Sequence, residues 1–238
     1  MPSDALDFSR RAYLSELMDE PSSYAEFRDC LRDLEVLNRT VFAYRPTLRW
    51  LERIERNGDR PLHIVDVGCG GGDMLRRIEA WAGARRLALK LTGIDLNSHA
   101  ARAAREFTSS GSSIEWVTGD IYSYKPAAPV GVVISSQFTH HLGDAELVDF
   151  LRWMERVAQR GWFINDLHRK IAPYYGIKAL AWAMRYHRFI QHDAPVSIRR
   201  SFLRGDWERY CATAGLNGSD VSIEEFRPGR LCVSRVKR

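Results

Sequence analysis

The sequence predicts an α/β protein with a doubly wound, mostly parallel sheet of seven strands. From His63 to His168, short β-rich runs alternate with amphipathic helical segments, which implies right-handed crossovers between parallel strands. The stretch VDVGCGGGD at residues 65–73 joins the first predicted strand to the following helix through four glycines. At 238 residues with 45% hydrophobic content, the chain can bury the core of one such domain.

The first sixty residues differ in pattern, and we predict a helical N-terminal lid over 1–60. Apolar side chains recur there at three- and four-residue steps, most clearly in YAEFRDCLRDLEVLNRTVFAYRPTLRWLERIER. The core is predicted over 61–238, with a helical insertion at about 170–200 where the strand–helix alternation lapses.

Within the core, strands and helices follow each other in strict order. Five strands are predicted at LHIVDVG, LALKLTGIDL, SIEWVTGDI, VGVVISSQF and GWFINDLH. The helices between them are predicted at DMLRRIEAWAGA, NSHAARAAREFTSS and DAELVDFLRWMERVA, with Asn97 or Ser98 as the N-cap of the second. After Arg169, IAPYYGIKALAWAMRYHRFI and GDWERYCATAGL read as helices, and SIEEF with RLCVSRVKR reads as a closing hairpin.

The glycine stretch is predicted to hold a ligand, because glycines between a strand and a helix let a ligand approach the backbone closely. The dinucleotide fingerprint G-x-G-x-x-G is broken here by Asp73 at its third glycine position. A second acid, Asp66, lies on the strand. Carboxylates on both sides of the loop oppose a pyrophosphate and suit a ligand that is positively charged and carries no phosphate.

The order G-x-G-x-G after Asp66 resembles the first motif of the class I S-adenosylmethionine-dependent methyltransferases. Three further motifs follow in the family's order, at LTGIDLN, WVTGDI and VVISSQFTHHL, and the resemblance covers about residues 60–168. It implies a Rossmann-like fold and S-adenosylmethionine as the cofactor, a ligand with an ammonium, a sulfonium and no phosphate.

The resemblance also assigns a cofactor site. It implies that Asp95 accepts hydrogen bonds from both ribose hydroxyls, with Leu96 beside the adenine. It implies that Asp120 faces the adenine amino group, with Ile121 packed on the ring. The predicted cofactor-binding residues are Asp66, Gly68, Cys69, Gly70, Gly72, Asp73, Asp95, Leu96, Asp120, Ile121, Ser136 and Gln137.

Taken singly, several of these residues have simpler interpretations. Asp95 could cap a helix or bind the ribose of a nicotinamide dinucleotide, and Asp120 could belong to a turn. Cys69, between two glycines, is interpreted as a small residue that the loop tolerates, without a nucleophilic role.

The predicted catalytic residues are His140, His141 and Asp166, which follow or end neighbouring parallel strands. Methyl transfer to oxygen requires alignment of the reacting atoms and loss of the hydroxyl proton, for which histidine is suited. The THHLGD stretch with a later strand-end acid resembles small-molecule O-methyltransferases, where such a histidine is the base; His141 matches the family position. Alternatively, HHLGD is only a helix start with Asp144 as its cap.

The acceptor is predicted to be a small, aromatic hydroxylated molecule of phenolic or quinol type. FINDLHR followed by HDAPVSIRRSF resembles methyltransferases of the ubiquinone and menaquinone type and relatives from phenolic or polyketide metabolism, although the sequence after strand four departs from the quinone enzymes. An aromatic-lined cap would suit a flat acceptor; the alternative is a helix that packs its aromatic face on the core. The aromatic residues of this segment are Tyr174, Tyr175, Trp182, Tyr186 and Phe189.

Comparable enzymes place a lid over the cofactor, which in this chain would involve Asn38, Arg39, Tyr44 and Arg45. The net charge of +5 permits an anionic partner, so a nucleic-acid methyltransferase is the alternative function. It is disfavoured because the slot after strand four reads SSQF, without the prolines of exocyclic-amine enzymes, and because the basic residues are spread out.

The remaining composition predicts a cytoplasmic protein without a bound metal. Its four cysteines lack a CxxC pair or a histidine at metal spacing, which argues against a zinc site or a disulfide framework. The N-terminal MPSDALDFSRR has no apolar segment of a signal peptide, and no apolar run approaches a membrane span. A homodimer is compatible with the sequence.

Overall fold

The computed structural model describes residues 6–54, 61–216 and 218–237. At its centre is a seven-stranded sheet with the order β3-β2-β1-β4-β5-β7-β6. Strands β1 to β5 run parallel to one another, and β7 runs antiparallel between β5 and β6. The predicted doubly wound, mostly parallel sheet is therefore confirmed. The strands are β1 (Leu62–Val67), β2 (Leu89–Asp95), β3 (Glu115–Thr118), β4 (Val132–Ser136), β5 (Gly161–Leu167), β6 (Ser222–Phe226) and β7 (Arg230–Val236).

Helices surround this sheet, and Asn97 caps one of them (α4) by accepting a hydrogen bond from the His99 N–H at 2.9 Å. The predicted single helix at 171–190 is interrupted, because Arg185 has a left-handed backbone (φ 53°), and two helices result. The α-helices are α1 (Tyr24–Thr40), α2 (Arg45–Arg53), α3 (Asp73–Ala84), α4 (Ser98–Phe107), α5 (Asp144–Val157), α6 (Ile171–Ala183), α7 (Arg188–Arg200) and α8 (Arg204–Thr213).

Alternate side chains of the central strands enter two separate hydrophobic cores, one on each face of the sheet. In β1, Val65 and Val67 belong to one core and Ile64 to the other. In β5, Trp162 and Phe163 divide in the same way. Helices α5 and α8 complete the first core, and α2 and α3 complete the second. Burial on both faces explains why these strands read as continuous apolar runs.

The N-terminal segment departs from the predicted helical pattern before residue 17, since 6–16 contain no helix. Buried polar contacts hold the backbone there instead. Arg169 donates to the carbonyl oxygens of Phe8 at 3.0 Å and Ser9 at 3.3 Å. Arg11 donates to the carbonyl of Arg200 at 2.9 Å. Residues 55–60 of the predicted lid lie outside the described residues.

Helix α1 packs against α4 and α7, which places the N-terminal region beside the carboxyl ends of the strands. A short 3-10 helix, Thr139–His141, follows β4 at the same end of the sheet. None of the described helices combines the length and apolarity needed to cross a lipid bilayer.

Candidate active site

The loop between β1 and α3 packs so closely that two of its positions admit only glycine. Gly68 has φ of 68°, and a Cβ there would lie 2.5 Å from the Phe138 ring. Gly72 has φ of 76° at the N-cap of α3, and a Cβ there would overlap the Trp116 ring. Because glycine combines a left-handed backbone with the absence of a side chain, these contacts leave the outer surface of the loop open to a ligand.

Asp66 lies on β1 next to this loop and is only 2% exposed. Its Oδ1 atom has no hydrogen-bond partner among the described residues, and the residue lines a cavity. Burial, together with the carboxylates of Asp73 and Asp95, raises the pKa of Asp66 well above its ordinary value. A buried carboxyl oxygen without a partner, at the wall of a cavity, fits a ligand that brings a positively charged hydrogen-bond donor.

Asp73 begins α3 and connects the glycine loop to the N-terminal helices. Its Oδ2 atom accepts hydrogen bonds from the Tyr44 hydroxyl at 2.7 Å and from the Asn38 side-chain amide at 2.9 Å. The Asn38 Oδ1 atom accepts from the side-chain amide of Gln137, directly after β4, at 2.8 Å. This network ties α1, the glycine loop and the end of β4 into one wall of the site.

Asp95 ends β2, and its carboxylate is held by two backbone groups. Oδ2 accepts from the Gly70 N–H and Oδ1 from the Asn97 N–H, each at 2.9 Å. Each carboxylate oxygen keeps a further lone pair, so both can also accept from hydroxyl groups of a ligand. Leu96, next in the chain, is 76% exposed at the cavity wall, where it can pack on a flat ring.

The ends of β3 and β4 complete this wall. The Oδ1 atom of Asp120 accepts from the Tyr122 N–H at 3.0 Å, so Asp120 is a turn residue that also lines the cavity. Ile121 follows it along the same wall. Ser136, at the end of β4, has a buried hydroxyl with no hydrogen-bond partner among the described residues.

One cavity of about 870 Å³ joins all of these groups. Every predicted cofactor-binding residue lines it except Gly72, which packs beneath the loop. The cavity continues between α1, α6 and α7 and reaches His140 and His141. Its volume lies at the upper end of the range for small-molecule sites, which suits two ligands side by side.

Asp166, at the end of β5, pairs with His140 instead of with His141. Nδ1 of His140 lies 2.7 Å from Oδ1 of Asp166. A carboxylate only accepts hydrogen bonds, so Nδ1 carries a proton, and in the neutral ring Nε2 has a free lone pair. Asp166 is fully buried, which by itself raises its pKa; the His140 contact and hydrogen bonds from Thr139 and Leu167 outweigh burial and lower it far below the ordinary value.

His141 contacts the N-terminal segment. Its Nδ1 lies 3.3 Å from Oδ1 of Asp19, and its Nε2 lies 3.7 Å from Oε2 of Glu16. Glu16 Oε1 lies 3.7 Å from Nε2 of His140 and accepts a hydrogen bond from the Ser197 hydroxyl at 3.0 Å. Burial lowers the pKa of His141, but the carboxylates of Asp19 and Glu16 outweigh it, and the pKa is raised overall.

The simpler interpretation of HHLGD, with Asp144 as the helix cap, is wrong. Helix α5 is capped at Gly143, whose N–H donates to Oε2 of Glu146 at 2.7 Å. Asp144 is therefore not the cap; its carboxylate accepts from the Tyr210 hydroxyl at 2.7 Å. The short 3-10 helix Thr139–His141 is also held by Arg11, which donates to the carbonyl oxygen of His140 at 3.2 Å.

The aromatic residues of the 171–190 segment do not form the lining of this cavity. Tyr175 and Trp182 are exposed, whereas Tyr186 and Phe189 are buried in a core shared with α1. The alternative interpretation, in which the aromatic side chains pack on the core, therefore holds for Tyr186 and Phe189. Among the described residues, the wall from α6 and α7 is mainly aliphatic or small, with Ala172, Pro173, Gly176, Ile177, Leu180, Ile190, Ala194 and Ile198.

Glu16 and Arg230 are charged cavity residues that the sequence-based prediction missed. Glu16 belongs to a stretch that reads as helical, and Arg230 belongs to a basic terminal strand; only the fold brings both to the cavity. Arg230 is 5% exposed, and its Nη1 atom has no hydrogen-bond partner among the described residues. Burial lowers the pKa of Arg230. The carboxylates of Asp166 and Asp73 partly offset the effect of burial, and the unpartnered Nη1 atom fits a ligand group that accepts a hydrogen bond. Of the proposed lid residues, Asn38 and Tyr44 line the cavity, while Arg39 and Arg45 are outside its described lining.

Comparison with known proteins finds similarity to methyltransferases. Residues 64–161 match a family model described as a methyltransferase domain. The trans-aconitate 2-methyltransferase of Mycobacterium tuberculosis strain H37Ra is 31% identical over 152 residues, which cover 62% of this chain and 53% of that protein. The trans-aconitate 2-methyltransferase of Azoarcus sp. strain BH72 is 30% identical over 82 residues, 34% of this chain and 29% of that protein. The matches thus span about half or less of these curated relatives.

Solved structures share the fold at low sequence identity. The plantazolicin methyltransferase BpumL in complex with SAH superposes with a TM-score of 0.62 at 13% identity, covering 90% of this chain and 95% of that one. The magnesium protoporphyrin IX methyltransferase ChlM of Synechocystis PCC 6803 with bound SAH gives 0.55 at 13% identity, with coverage of 92% and 90%. LepI in complex with SAM gives 0.56 at 13% identity, covering 80% of this chain and 46% of that one.

The predicted motifs therefore lie in order along one cavity of a doubly wound sheet that such proteins share. The acids around the glycine loop and the unpartnered Asp66 oxygen fit the ammonium group and ribose of the family's cofactor. Residues 64–161 thus match a methyltransferase domain, and the chain shares the fold of methyltransferases whose structures hold SAH.

Proposed function

We propose that this chain transfers the methyl group of S-adenosylmethionine to a hydroxyl group of a small, largely apolar acceptor of phenolic or quinol type. One observation carries the proposal. A single cavity holds the cofactor motifs at one end and the two histidines at the other, with aliphatic walls between α6 and α7. Donor and acceptor can therefore meet inside one water-poor space, which is what an in-line transfer between two bound molecules requires.

The cofactor would lie along the carboxyl ends of β1 to β4. Asp95 would accept from the ribose hydroxyls, and Asp120, Ile121 and Leu96 would surround the adenine. Asp66 would accept from the ammonium group, directly or through water. When bound, S-adenosylmethionine supplies a methyl carbon that its sulfonium activates for attack by a nucleophile.

Arg230 gives the methionine carboxylate a partner. Its buried guanidinium lines the cavity and interacts electrostatically with the carboxylates of Asp166 and Asp73. Its Nη1 atom has no hydrogen-bond partner among the described residues, and the methionine carboxylate, the one anionic group of the donor, would supply an acceptor for it. We assign this role to Arg230 as part of the same proposal.

The acceptor hydroxyl would lie beside Nε2 of His140, the ring atom that Asp166 leaves free. The rest of the acceptor would contact the aliphatic side chains of α6 and α7, such as Ile177, Leu180 and Ile190. Apolar walls with few convergent polar groups favour a hydrophobic molecule oriented by one hydroxyl. An alkyl-substituted phenol or quinol meets both requirements.

A polycarboxylate acceptor is the second candidate, because the curated relatives are trans-aconitate methyltransferases. The charge of the cavity opposes it. A trianion would have to enter beside the Glu16 and Asp19 carboxylates, while Arg76 is already paired with Glu35. The acidic lining residues are Glu16, Asp19, Asp66, Asp73, Asp95, Asp120 and Asp193, against Arg76 and Arg230.

The test measures transfer of a radiolabelled methyl group from S-adenosylmethionine to three acceptor classes in parallel. These are phenols and quinols with alkyl chains, trans-aconitate, and RNA. We expect label in the first class only. Label in trans-aconitate would establish the second candidate, and salt-sensitive label in RNA would establish a nucleic-acid methyltransferase.

Variants link this activity to the site. Replacing His140 and His141 together by alanine should lower turnover by roughly 10²–10⁴-fold, the range for loss of a group that handles the acceptor proton. The affinity for SAH should stay nearly unchanged. The matched control is His192→Ala on α7, whose ring is half-exposed beside Asp193, outside the cavity lining. An undiminished rate in the double variant would contradict the role of the histidines.

A further inference from the structure

Three side chains converge where the acceptor hydroxyl would lie. One potential ligand atom from each of Glu16, His140 and His141 lies within 4.8 Å of the others. Glu16 and His140 are buried, His141 is partly buried, and all line the cavity. We propose that Glu16, His140 and His141 bind a divalent transition-metal ion, such as Zn²⁺ or Mn²⁺, that holds the acceptor oxygen.

The orientation of both imidazole rings supports a cation site. Each ring directs Nδ1 at a carboxylate, His140 at Asp166 (2.7 Å) and His141 at Asp19 (3.3 Å). Each ring directs Nε2 at Glu16, at 3.7 Å. Histidine ligands of metals characteristically donate their second N–H to a carboxylate, which fixes the ring and its tautomer. Here both histidines have such a partner.

The distances at the centre favour a bridging cation over direct hydrogen bonds. With protons on both Nδ1 atoms, the Nε2 lone pairs of His140 and His141 face carboxylate lone pairs of Glu16. A gap of 3.7 Å exceeds a hydrogen bond but is close to the separation of donor atoms around one ion with bonds of about 2.0–2.2 Å. Two nitrogens and one carboxylate suit a transition metal better than Mg²⁺ or Ca²⁺, which select oxygen ligands.

Glu16 also has the supporting contacts that a ligand carboxylate needs. Its Oε1 atom accepts from Ser197 at 3.0 Å and lies 3.4 Å from Nη1 of Arg200. Arg200 is shared with Asp19, at 3.1 Å. The other carboxylate oxygen of Glu16, Oε2, lies near Nε2 of His141.

The local charge matches a dication. Three carboxylates (Glu16, Asp19 and Asp166) surround the two imidazoles, and the Arg200 guanidinium compensates one of these carboxylates. With the imidazoles in the neutral form that binds a metal, two negative charges remain near the centre of the cluster. A divalent ion would neutralise them.

The use of the metal rests on the proposed function, but its binding does not. A hydroxyl bound to the ion would lose its proton to solvent, because a bound cation lowers the pKa of a coordinated oxygen. That oxygen would form the new C–O bond as the C–S bond of the donor breaks, and the electron pair of that bond would remain on the sulfur of SAH. His140 and His141 would then act as ligands that position the acceptor.

The experiment uses the full chain without an affinity tag, stripped with a chelator and titrated with Zn²⁺ and Mn²⁺. Calorimetry and elemental analysis measure affinity and stoichiometry, and Co²⁺ substitution reports the ligand set by its visible absorption. We expect one equivalent of metal in the wild type. The four buried free cysteines Cys30, Cys69, Cys211 and Cys232 are scattered and should not compete.

Glu16→Gln and His141→Gln should weaken binding by more than tenfold, and Asp166→Asn, which removes the charged partner of His140, by about 10–100-fold. His192→Gln should bind like the wild type. Thermal melting of the metal-free proteins identifies any variant that fails to fold. In that case the metal affinity of Glu16→Gln is compared with that of the wild type, because this substitution preserves the size of the side chain. Absence of stoichiometric binding, or equal binding by wild type and Glu16→Gln, would overturn the proposal.

Activity separates this proposal from the function on which its use rests. Methyl transfer that survives complete chelation would overturn the metal's role and leave the proposed function intact. Stoichiometric metal binding without transfer to any acceptor would contradict the proposed function and leave the metal site in place. Binding of SAH by the stripped protein checks in both cases that the fold is preserved.

Discussion

The Tyr44 hydroxyl donates a hydrogen bond of 2.7 Å to Oδ2 of Asp73, joining the N-terminal helices to the first residue after the glycine loop. The same oxygen accepts from Asn38. The N-terminal region thereby helps to orient an acid that lines the cavity beside the glycine loop.

Tyr44→Phe keeps the ring and removes this hydrogen bond. We expect the free energy of unfolding to fall by about 1.5–3 kcal/mol, the usual contribution of a hydrogen bond to a charged group, and SAH affinity to fall severalfold. Urea unfolding and calorimetry measure the two effects. Tyr175→Phe, on the exposed part of α6, is the matched control. If Tyr44→Phe binds SAH as tightly as the wild type, the network does not shape the cofactor site.

Asp95→Ala should weaken SAH binding by at least tenfold, because it removes an acceptor for both ribose hydroxyls and each such bond contributes about 1.5–3 kcal/mol. Asp149→Ala is the control, since Asp149 is an exposed residue of α5 that pairs with Arg152. Calorimetry compares the dissociation constants. Unchanged affinity in Asp95→Ala would remove the ribose assignment.

Arg230→Met tests the assigned carboxylate partner. Loss of the guanidinium should weaken binding of S-adenosylmethionine by tenfold or more, because the methionine carboxylate would lose its cationic hydrogen-bond donor. Decarboxylated S-adenosylmethionine provides the decisive comparison. Its affinity should be low for the wild type and no lower for Arg230→Met. A further loss in the variant would show that Arg230 acts elsewhere.

The geometry of parallel sheets explains which strands and which site residues could be predicted from the sequence. Apolar runs and glycine positions locate β1 to β5, and the carboxyl ends of adjacent parallel strands meet at one edge. Asp95, Asp120 and Asp166 each end or follow such a strand, so their common location was predictable. For a residue that ends or follows one of these strands, the local sequence pattern was sufficient to predict its place in the site.

Other parts of the site depend on contacts between distant segments. Glu16 reaches the histidines only because Arg11 and Arg169 hold the N-terminal segment against the core, and no local periodicity encodes that. Arg230 arrives through the antiparallel pairing of β7 with β5. The partner of Asp166 was also unpredictable, since adjacent histidines differ only in the direction that the turn gives each ring.

Asp206 yields a prediction of pH-dependent stability. Burial raises its pKa, but the Leu203 N–H and the guanidinium groups of Arg169 and Arg209 outweigh it and lower the pKa below the ordinary 3.8. A lowered carboxyl pKa stabilises the fold at pH values above 3.8, and this contribution is lost as the pH falls through the folded-state value. Asp206→Ala should therefore cost about 3–5 kcal/mol at pH 7, the usual effect of breaking a buried pair.

Urea unfolding of the wild type and of Asp206→Ala across a pH series measures this difference. The gap should be constant near neutral pH and should narrow below pH 3.8. Asp149→Ala again serves as the control, with little effect at any pH, because its ion pair with Arg152 is exposed. A gap that widens in acid would contradict the sign of the shift.

The most direct test of the account is a calorimetric titration of the purified chain with SAH and, separately, with NAD⁺. The acids at the glycine loop and the unpartnered Asp66 oxygen predict one-to-one binding of SAH, weakened at least tenfold in Asp95→Ala, and no measurable binding of NAD⁺. Binding of NAD⁺ in that cavity without binding of SAH would contradict the account.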